Sequence, residues 1–172
     1  MNFDFAYSFG SYEGSLRQLI HLFKYAKIEP LALPLSRLLA RAMPVDERFD
    51  LVIGMPMHWR KRWERGFNQA ELLAEPLAHR FGLSLAKNLT RTRHTQSQAS
   101  LTEAQRQQNL RDSFGVKRAA EIAGKRILLV DDVFTTGATL RAAAGALKGA
   151  GAKHVSGLTL ARVDRRLAWS SG

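Results

Sequence analysis

Two adjacent carboxylates and the hydroxyl-rich loop after them are the residues of this sequence best suited to chemistry. They lie in the stretch ILLVDDVFTTGATL, residues 127–140. Asp131 and Asp132 follow an apolar run of the kind that forms a buried strand in a parallel sheet. Ligands of open parallel sheets bind beyond the carboxyl ends of the strands. The two carboxylates are therefore candidates for contact with a ligand.

The loop after the carboxylates predicts a phosphate site. It leads directly into an alanine-rich helix and consists of Thr135, Thr136, Gly137, Ala138 and Thr139. The unpaired N–H groups and the positive dipole at a helix N-terminus favour an anion, and Gly137 permits a positive φ angle. The Gly-Lys pair of a Walker A loop and the G-x-G-x-x-G fingerprint are both missing, so the pattern indicates a different phosphate ligand.

A ribose 5-phosphate would match both parts of this stretch. Carboxylates accept hydrogen bonds from vicinal hydroxyls and are favourable beside a hydrated Mg²⁺. The 2′ and 3′ hydroxyls would face Asp131 and Asp132, and the phosphate would lie in the loop. In the alternative reading the carboxylates only end a strand and Thr136 only caps a helix; the complete series from strand to helix favours the ligand site.

Composition limits the class of protein. The chain of 172 residues is long enough for one compact α/β domain. Its formal charge of +11 predicts a surface that attracts the phosphates of nucleic acids or metabolites. The absence of cysteine excludes disulfides and thiolate metal sites. No stretch has the length and apolarity of a membrane span, so we expect a cytoplasmic protein without membrane insertion.

Apolar spacing predicts the elements that position the site. Two packing helices are expected after Ser15 and Pro30. A buried strand is expected at residues 50–55, then a basic loop, then a helix that starts at Gly66 and ends at Gly82. A long mobile loop is expected at residues 90–101 and a capped helix at residues 102–111. Short strands are expected at residues 83–89, 114–116, 126–130 and 155–160.

The stretch at residues 127–140 resembles the signature of the type I phosphoribosyltransferases, which is four apolar residues, two acidic residues and a threonine- and glycine-rich phosphate loop. Two further patterns resemble the ComF/GntX family of competence and DNA-utilisation proteins. They are RGFNQAELLA at residues 65–74, and Arg91, Arg93, Thr95, Gln98, Leu101, Arg106, Asn109 and Phe114. The resemblance runs from about residue 7 to residue 163.

The resemblance implies the type I phosphoribosyltransferase fold, a mostly parallel sheet of four or five strands flanked by helices, with a small hood. A single domain would span residues 1–172, with a helical hood part at 1–48 and a core at 49–165 that binds phosphoribosyl pyrophosphate (PRPP). Asp131, Asp132 and residues 135–139 would bind its ribose 5-phosphate, with Mg²⁺ carried by PRPP and no metal ligated directly. Pyrophosphate would be held by Arg62 and Arg65, and Arg91 and Arg93 would belong to the mobile loop. Catalytic roles fall to Asp131, Asp132 and Arg65.

Two departures from the family pattern limit what is carried over. Family members usually begin with a cysteine-rich zinc module, so no zinc is expected in a chain without cysteine. Some purine transferases carry an acidic residue where this sequence has Thr135, and a threonine hydroxyl is no general base near neutral pH. The acceptor of the ribose phosphate and the occurrence of turnover therefore stay open.

A second function remains in competition with phosphoribosyl transfer. The same fold could serve as a non-catalytic module that binds single-stranded DNA and works with DNA-uptake or recombination proteins. Trp59 and Trp63 alternate with basic residues in the segment HWRKRWERG and could stack on bases. The alternative is that both tryptophans fill core or hood space. The sequence leaves the oligomeric state open.

Overall fold

A five-stranded parallel sheet forms the centre of the molecule. The computed structural model describes residues 2–92 and 102–164. The strands in this part of the chain are β1 (Phe5–Ser11), β2 (Leu51–Gly54), β3 (Ser84–Leu85), β4 (Leu89–Arg91), β5 (Phe114–Val116), β6 (Arg126–Phe134) and β7 (His154–Arg162). The large sheet has the order β1-β7-β6-β2-β3, and β4 and β5 form a separate antiparallel pair.

Helices cover both faces of the large sheet. Those in the described residues are α1 (Gly14–Tyr25), α2 (Ala32–Ala40), α3 (Trp59–Arg65), α4 (Gln69–Phe81), α5 (Glu103–Arg111) and α6 (Ala138–Gly149), with 3-10 turns at Glu29–Leu31 and Ala119–Glu121. The predicted fold class, a mostly parallel sheet flanked by helices, is confirmed.

Alternation along β6 divides the core into two clusters. Leu128 and Val130 pack on one face of the sheet with α1, α2 and α4, whereas Ile127 and Leu129 pack on the other face with α6 and the small sheet. All four side chains are completely buried, and burial of each stabilises the fold by about 2 kcal/mol. Because successive side chains of a strand point to opposite faces, Asp131 and Asp132 enter different surroundings.

Strand β6 is longer than its apolar run predicts. It continues through both carboxylates to Phe134, because β7 pairs with it along that length, with Asp131 opposite Thr159 and Phe134 opposite Arg162. The expectation that the carboxylates lie just beyond a strand ending at Val130 is therefore wrong.

The basic segment after Pro56 is helix α3, and the prediction of a loop there is wrong. His58 Nδ1 accepts a hydrogen bond from the Arg60 N–H at 3.3 Å and caps the helix. Gly66 ends α3 at a φ of 86°, so α4 starts later than predicted, at Gln69. The Asn68 side chain caps α4 by accepting from the Ala70 N–H at 3.0 Å.

The predicted mobile loop is also corrected at its start. Thr90 and Arg91 belong to β4, where they pair with Gly115 and Phe114 of β5. Residues 93–101 lie outside the described residues. At the far end of this segment the predicted capping box of Thr102 and Gln105 at the start of α5 is confirmed.

The N-terminal 48 residues contribute a strand to the large sheet as well as helices. Strand β1 pairs in parallel with β7 from Phe5 to Ser11. Helices α1 and α2 supply Ile20, Phe23, Leu35 and Leu39 to the cluster that also contains residues of α4 and β6. The helical N-terminal part thus shares the large sheet and one of the two core clusters with the rest of the chain.

Candidate functional site

The loop between β6 and α6 has the geometry of an anion cradle. Gly137 precedes α6 with a φ of 75°, and a Cβ atom there would lie 2.8 Å from Cζ of Phe134. Only glycine fits this combination of backbone angle and close ring contact. The Thr135 and Thr136 side chains are exposed, and Thr136 Oγ1 accepts from the Ala138 N–H at 3.2 Å. Thr136 therefore contacts the first N–H group of α6, next to the N-cap residue Gly137.

Asp132 is held by three protein donors. Its Oδ2 atom is 3.0 Å from the Lys24 ammonium of α1 and accepts from Gln69 Nε2 of α4 at 3.1 Å. Its Oδ1 atom accepts from the Val133 N–H at 2.7 Å. Burial alone would lower the pKa of Lys24, but the adjacent Asp132 carboxylate outweighs it and raises that pKa. Lys24 and Asp132 therefore form an ion pair at the interface of α1, α4 and β6.

Asp131 lies on the opposite face of the sheet, beside the loop. It lines a cavity of about 40 Å³ with Thr135, Gly137, Thr139 and Thr159 among its walls. Its Oδ1 atom accepts from the Asp132 N–H at 2.9 Å. Burial, followed by the charge of Asp132, raises the pKa of Asp131. A ligand that donates hydrogen bonds or brings positive charge would therefore be favourable at this carboxylate.

The two arginines predicted to hold pyrophosphate lie in different surroundings. Arg62 Nη1 forms an ion pair with Glu71 at 3.1 Å. Arg65 Nη1 donates to Gln69 Oε1 at 2.7 Å, and its guanidinium lies 5.5 Å from the Tyr25 ring centre. Arg65 thus contacts the same glutamine that holds Asp132, whereas Arg62 is paired with Glu71.

Arg62 lines a cavity of about 330 Å³ beside the end of β2. Arg91 and Lys87 line the same cavity, together with Trp59 and Glu71. Burial lowers the pKa of Arg91, and Asp131 acts against that shift, so Arg91 is electrostatically linked to the carboxylate site. The structure therefore brings Arg62 and Arg91 together at one cavity. Arg93 lies outside the described residues.

The sequence patterns did not predict three polar residues of this region, which are Lys24, Gln69 and Lys87. Gln69 falls inside the RGFNQAELLA pattern, so the pattern held a signal for it. Lys24 is a lone lysine in an amphipathic helix, and Lys87 is a lone lysine between two weak strands. Neither has a local pattern that distinguishes it from a solvated surface residue.

Both tryptophans of α3 are exposed, Trp59 by 65% and Trp63 by 84%. The guanidinium of Arg60 lies 5.3 Å from the Trp59 ring centre. The alternative in which the tryptophans fill core or hood space is therefore wrong. They form an aromatic and basic surface on one short helix.

The chain matches a known protein family. Residues 68–169 match the model of the phosphoribosyl transferase domain. The chain belongs to the phosphoribosyl transferase domain family. The match contains the carboxylates, the threonine loop and helix α4, so the predicted resemblance to type I phosphoribosyltransferases is confirmed.

Relatives within the family are ComF-type proteins, which confirms the ComF/GntX resemblance. The DNA utilization protein YhgH of Escherichia coli (strain K12) is 34% identical over 158 residues, which cover 88% of this chain and 69% of the relative. Competence protein F of Haemophilus influenzae is 32% identical over 161 residues, 89% of this chain and 70% of the relative. Competence protein ComFC of Bacillus subtilis is 38% identical over 121 residues, 68% of this chain and 46% of the relative.

A solved structure supports the fold. Glutamine phosphoribosylpyrophosphate amidotransferase from B. subtilis superposes with a TM-score of 0.53 at 23% identity, over 75% of this chain and 26% of that chain. At this identity the likeness shows a phosphoribosyltransferase-type fold and nothing about ligands. Across residues 2–92 and 102–164, no helix combines the length and apolarity needed to cross a membrane.

Proposed function

We propose that this phosphoribosyl transferase family member binds the ribose 5-phosphate part of Mg-PRPP at the junction of β6 and α6. The observation that carries the proposal is the shared cavity of Asp131 and the loop threonines. A carboxylate that accepts from a sugar hydroxyl and a helix N-terminus that binds a phosphate then lie side by side. The reaction class is transfer of a phosphoribosyl group to an acceptor.

The phosphate would lie against the backbone N–H groups of residues 135–139. Gly137 allows the backbone to approach the phosphate closely, and the hydroxyls of Thr135 and Thr139 border the cavity. The preceding strand fixes the position of the loop, because β6 is paired with β7 up to Phe134. Rigid donors of this kind lose little conformational entropy on binding.

Pyrophosphate would lie on the side of Asp131 where Arg62, Lys87 and Arg91 line the neighbouring cavity. Breaking the bond between the anomeric carbon and pyrophosphate leaves negative charge on the departing group. Fixed cationic donors stabilise such charge, and removal of one costs roughly a hundredfold in rate. Arg65 donates to Gln69, and Gln69 donates to Asp132. Arg65 would therefore hold Asp132 in position through Gln69.

The residues present also fit Mg²⁺ carried by PRPP. Carboxylate oxygens are the ligands that Mg²⁺ prefers, and Asp131, whose carboxyl has a raised pKa, gains from a nearby cation. Mg²⁺ would neutralise part of the pyrophosphate charge. Asp131 and Asp132 would favour the positive charge that develops on the ribose.

Calorimetric titration of the full chain with Mg-PRPP tests the proposal. We expect saturable binding that Asp131→Asn weakens roughly 10- to 100-fold, the usual contribution of a hydrogen bond to a charged group. Asp112→Asn is the matched control, because Asp112 is an exposed carboxylate that contacts Gln108 of α5. Unchanged affinity in Asp131→Asn would refute the ribose assignment.

A second function, binding of single-stranded DNA, is favoured by the exposed Trp59 and Trp63 beside Arg60. The relatives named for DNA utilization and competence support it. DNA-uptake and recombination proteins in the cytoplasm would then be its partners. An oligonucleotide titration at two salt concentrations separates the functions, because contacts to many phosphates weaken steeply with salt. Trp63→Ala should weaken oligonucleotide binding and leave Mg-PRPP binding unchanged.

A further inference from the structure

A cavity of about 830 Å³ borders the loop between β6 and α6 on the side of β7. This β7-side cavity shares Phe134 and Thr135 with the cavity of Asp131. It is also lined by Arg162 at the end of β7 and by Val163 after it. Small-molecule sites typically have volumes of roughly 300–1,000 Å³. The β7-side cavity therefore has the size of a ligand site and adjoins the proposed ribose 5-phosphate site.

The β7-side cavity and the cavity proposed for pyrophosphate lie on opposite sides of β6. Strand β6 has β7 as one neighbour in the large sheet and β2 as the other. The cavity proposed for pyrophosphate is lined by Ile53 and Gly54 at the end of β2, whereas Arg162 ends β7. Substitution at carbon is favoured when the incoming and leaving groups are aligned on opposite sides of the reacting atom. An acceptor in the β7-side cavity would meet that requirement at a ribose bound at the end of β6.

Two arginines line the β7-side cavity, Arg141 of α6 and Arg162. Arg162 is exposed, with its guanidinium 4.7 Å from the ring centre of Phe134, and Arg141 is half-buried. Across residues 2–92 and 102–164, neither arginine forms an ion pair. A contact with the face of a ring uses none of the five N–H donors of a guanidinium as a hydrogen-bond donor. Both arginines can therefore bind an anionic group of a ligand.

Aromatic rings form an apolar wall of the β7-side cavity. Phe3 lines it and packs edge-on against Phe134, with the ring centres 6.4 Å apart. Phe5 lines it as well and is 54% exposed. Such rings bind planar apolar groups through stacking and edge contacts, and a guanidinium matches the geometry of a carboxylate. The walls together favour a ligand that combines a planar ring with a carboxylate.

The two carboxylates that line the cavity have surroundings that weaken their repulsion of such a ligand. Asp4 Oδ2 accepts from the Val155 N–H at 2.8 Å and lies 2.9 Å from the Lys148 ammonium, so the protein itself compensates this charge. Asp164 is exposed, and solvent and salt screen an exposed charge.

We propose that the β7-side cavity binds the acceptor of the phosphoribosyl group and that this acceptor is a planar nitrogenous acid, an aromatic ring with a carboxylate and a free nitrogen lone pair. Arg141 and Arg162 bind the carboxylate and determine this specificity, and the ring lies against Phe3 and Phe5. The inference rests on the proposed function and adds the class of acceptor to it.

The nitrogen lone pair has to be free because the loop supplies no base. Thr135 borders both cavities, and its hydroxyl accepts no proton near neutral pH. The nitrogen of a pyridine ring or of an aromatic amine needs no such base to attack. Its lone pair forms the bond to the anomeric carbon while the bond from that carbon to pyrophosphate breaks, and that electron pair leaves with pyrophosphate. A proton on an attacking amine then passes to water.

Calorimetric titration of the full chain with two acids and their amides tests the class of acceptor. The probes are nicotinate with nicotinamide and anthranilate with anthranilamide, which differ within each pair in the carboxylate. Each acid should bind about tenfold or more tightly than its amide, as expected for hydrogen bonds to a charged group. Acetate, an acid without a ring, is the control for the general attraction of anions to a chain of charge +11. Equal affinities of acid and amide would overturn the inference, and so would acetate that binds as tightly as nicotinate.

Variants of the two arginines locate the acid. Arg162→Met and Arg141→Met should each lower the ratio of acid to amide affinity by about threefold or more, and the double variant should abolish the preference. Arg37→Met is the matched control, because Arg37 is an exposed arginine on α2. An unchanged ratio in the folded double variant would place the acid elsewhere and overturn the inference. If Arg141→Met does not fold, the exposed Arg162 decides alone.

A titration of nicotinate into the chain saturated with ribose 5-phosphate tests the role as acceptor. Ribose 5-phosphate has no leaving group, so both ligands should bind together and nicotinate should keep its affinity within about threefold, less than the loss of one hydrogen bond. Mutually exclusive binding would overturn the role as acceptor.

Failure of this inference is distinguishable from failure of the proposed function. If Mg-PRPP binds and the acids show no preference, only the inference fails. If Mg-PRPP does not bind to a chain that unfolds cooperatively on heating, the proposed function is refuted, and the role of the β7-side cavity as an acceptor site fails with it.

Discussion

Both ends of the parallel sheet carry a cluster of charged side chains, and the two clusters are built differently. The amino-end cluster lies where the parallel strands begin and consists of Asp4, Tyr7, Glu47, Arg126, Lys148, His154 and Ser156. The carboxyl-end cluster lies where β6 leads into α6 and consists of Lys24, Arg65, Gln69, Asp131 and Asp132, beside the loop at residues 135–139.

The carboxylates of the amino-end cluster are satisfied by the protein. Glu47 Oε2 lies 2.7 Å from His154 Nε2 and 3.8 Å from Arg126, and Glu47 also accepts from the Tyr7 hydroxyl. Burial and that hydrogen bond raise the pKa of Tyr7 to about 12. Burial alone would raise the pKa of Asp4, but the Val155 N–H and Lys148 outweigh it and lower that pKa.

The carboxyl-end cluster is satisfied on one face of β6 and open on the other. Asp132 has Lys24 and Gln69, whereas Asp131 has a raised pKa and borders a cavity and a helix N-terminus. Two clusters with two carboxylates each thus differ in what they offer a ligand. A ligand site is thus recognised by a polar group that the fold leaves without a charged partner of its own, rather than by the number of charged residues.

The largest expected effect is a difference between two variants, each of which removes one carboxylate from one cluster. Glu47→Gln should lower the free energy of unfolding by about 3 kcal/mol, because His154 and Arg126 lose a buried partner, and should leave Mg-PRPP affinity unchanged. Asp131→Asn should do the reverse, lowering affinity roughly 10- to 100-fold with little loss of stability. Urea unfolding and calorimetry measure the two quantities. Equal losses of stability in both variants would contradict the comparison.

Two glycines, one before and one after β6, distinguish backbone strain from displacement of the loop. Gly124 and Gly137 have φ angles of 72° and 75°, so alanine should destabilise each by about 1 kcal/mol. A Cβ at Gly137 would lie 2.8 Å from the Phe134 ring, whereas nothing lies within 4 Å of a Cβ at Gly124. Gly137→Ala should therefore also displace the loop and weaken Mg-PRPP binding about tenfold. Calorimetry should show no such loss for Gly124→Ala, and equal affinities would refute the phosphate role of the loop.

The carboxyl-end cluster could be predicted only where its residues are local in sequence. The carboxylates, the threonine loop and the start of α6 form one continuous stretch, so strand pattern and helix-start chemistry together indicated a phosphate site. Lys24 meets Asp132 only because α1 packs on the sheet beside α4. A contact between distant segments leaves no local pattern, and the amino-end cluster was missed for the same reason.

The fold shows the same division. Buried β6 and β7 have apolar runs and were predicted, whereas α3 was predicted as a loop because it has no buried residues and so no apolar period. Strand β4 has three residues and depends on pairing with β5. Pairing between segments that are far apart in the chain cannot be read from the strand itself.

The pH dependence of stability should have opposite signs at the two ends. Asp131 has a pKa above the ordinary 3.8, so its folded form keeps the proton longer, and stability falls as pH rises from 3.8 through the raised pKa. Asp4 has a pKa below 3.8, so its contribution is present above 3.8 and is lost as pH falls through the lowered value. Each effect is at most about 1.4 kcal/mol per pH unit.

Urea unfolding of the wild type, Asp131→Asn and Asp4→Asn across about pH 3 to 8 measures both slopes. Asp131→Asn should remove a decline in stability with rising pH, and Asp4→Asn should remove a loss on the acid side. A wild-type curve that is unaffected by Asp131→Asn above pH 3.8 would show that this carboxyl is ionised normally.

The smallest expected effect distinguishes the ion pairs of the two ends by their response to salt. Lys148 and Asp4 are 2.9 Å apart with side chains 31% and 34% exposed, whereas Lys24 and Asp132 are 3.0 Å apart and 20% and 6% exposed. Lys148→Met should lower the free energy of unfolding by about 0.5 kcal/mol at low salt. Near 1 M salt, where the Debye length is about 3 Å, that loss should vanish.

Lys24→Met should cost more than Lys148→Met and should keep its cost at high salt, because screening ions do not enter a buried pair. Lys153→Met is the control for the loss of charge alone. Lys153 is exposed, and Lys148 donates to the backbone carbonyl of Lys153, which the substitution leaves in place. If salt removes the cost of Lys24→Met as it removes that of Lys148→Met, Asp132 is as open to solvent as Asp4. The ion pairs at the two ends of the sheet would then not differ in their access to solvent.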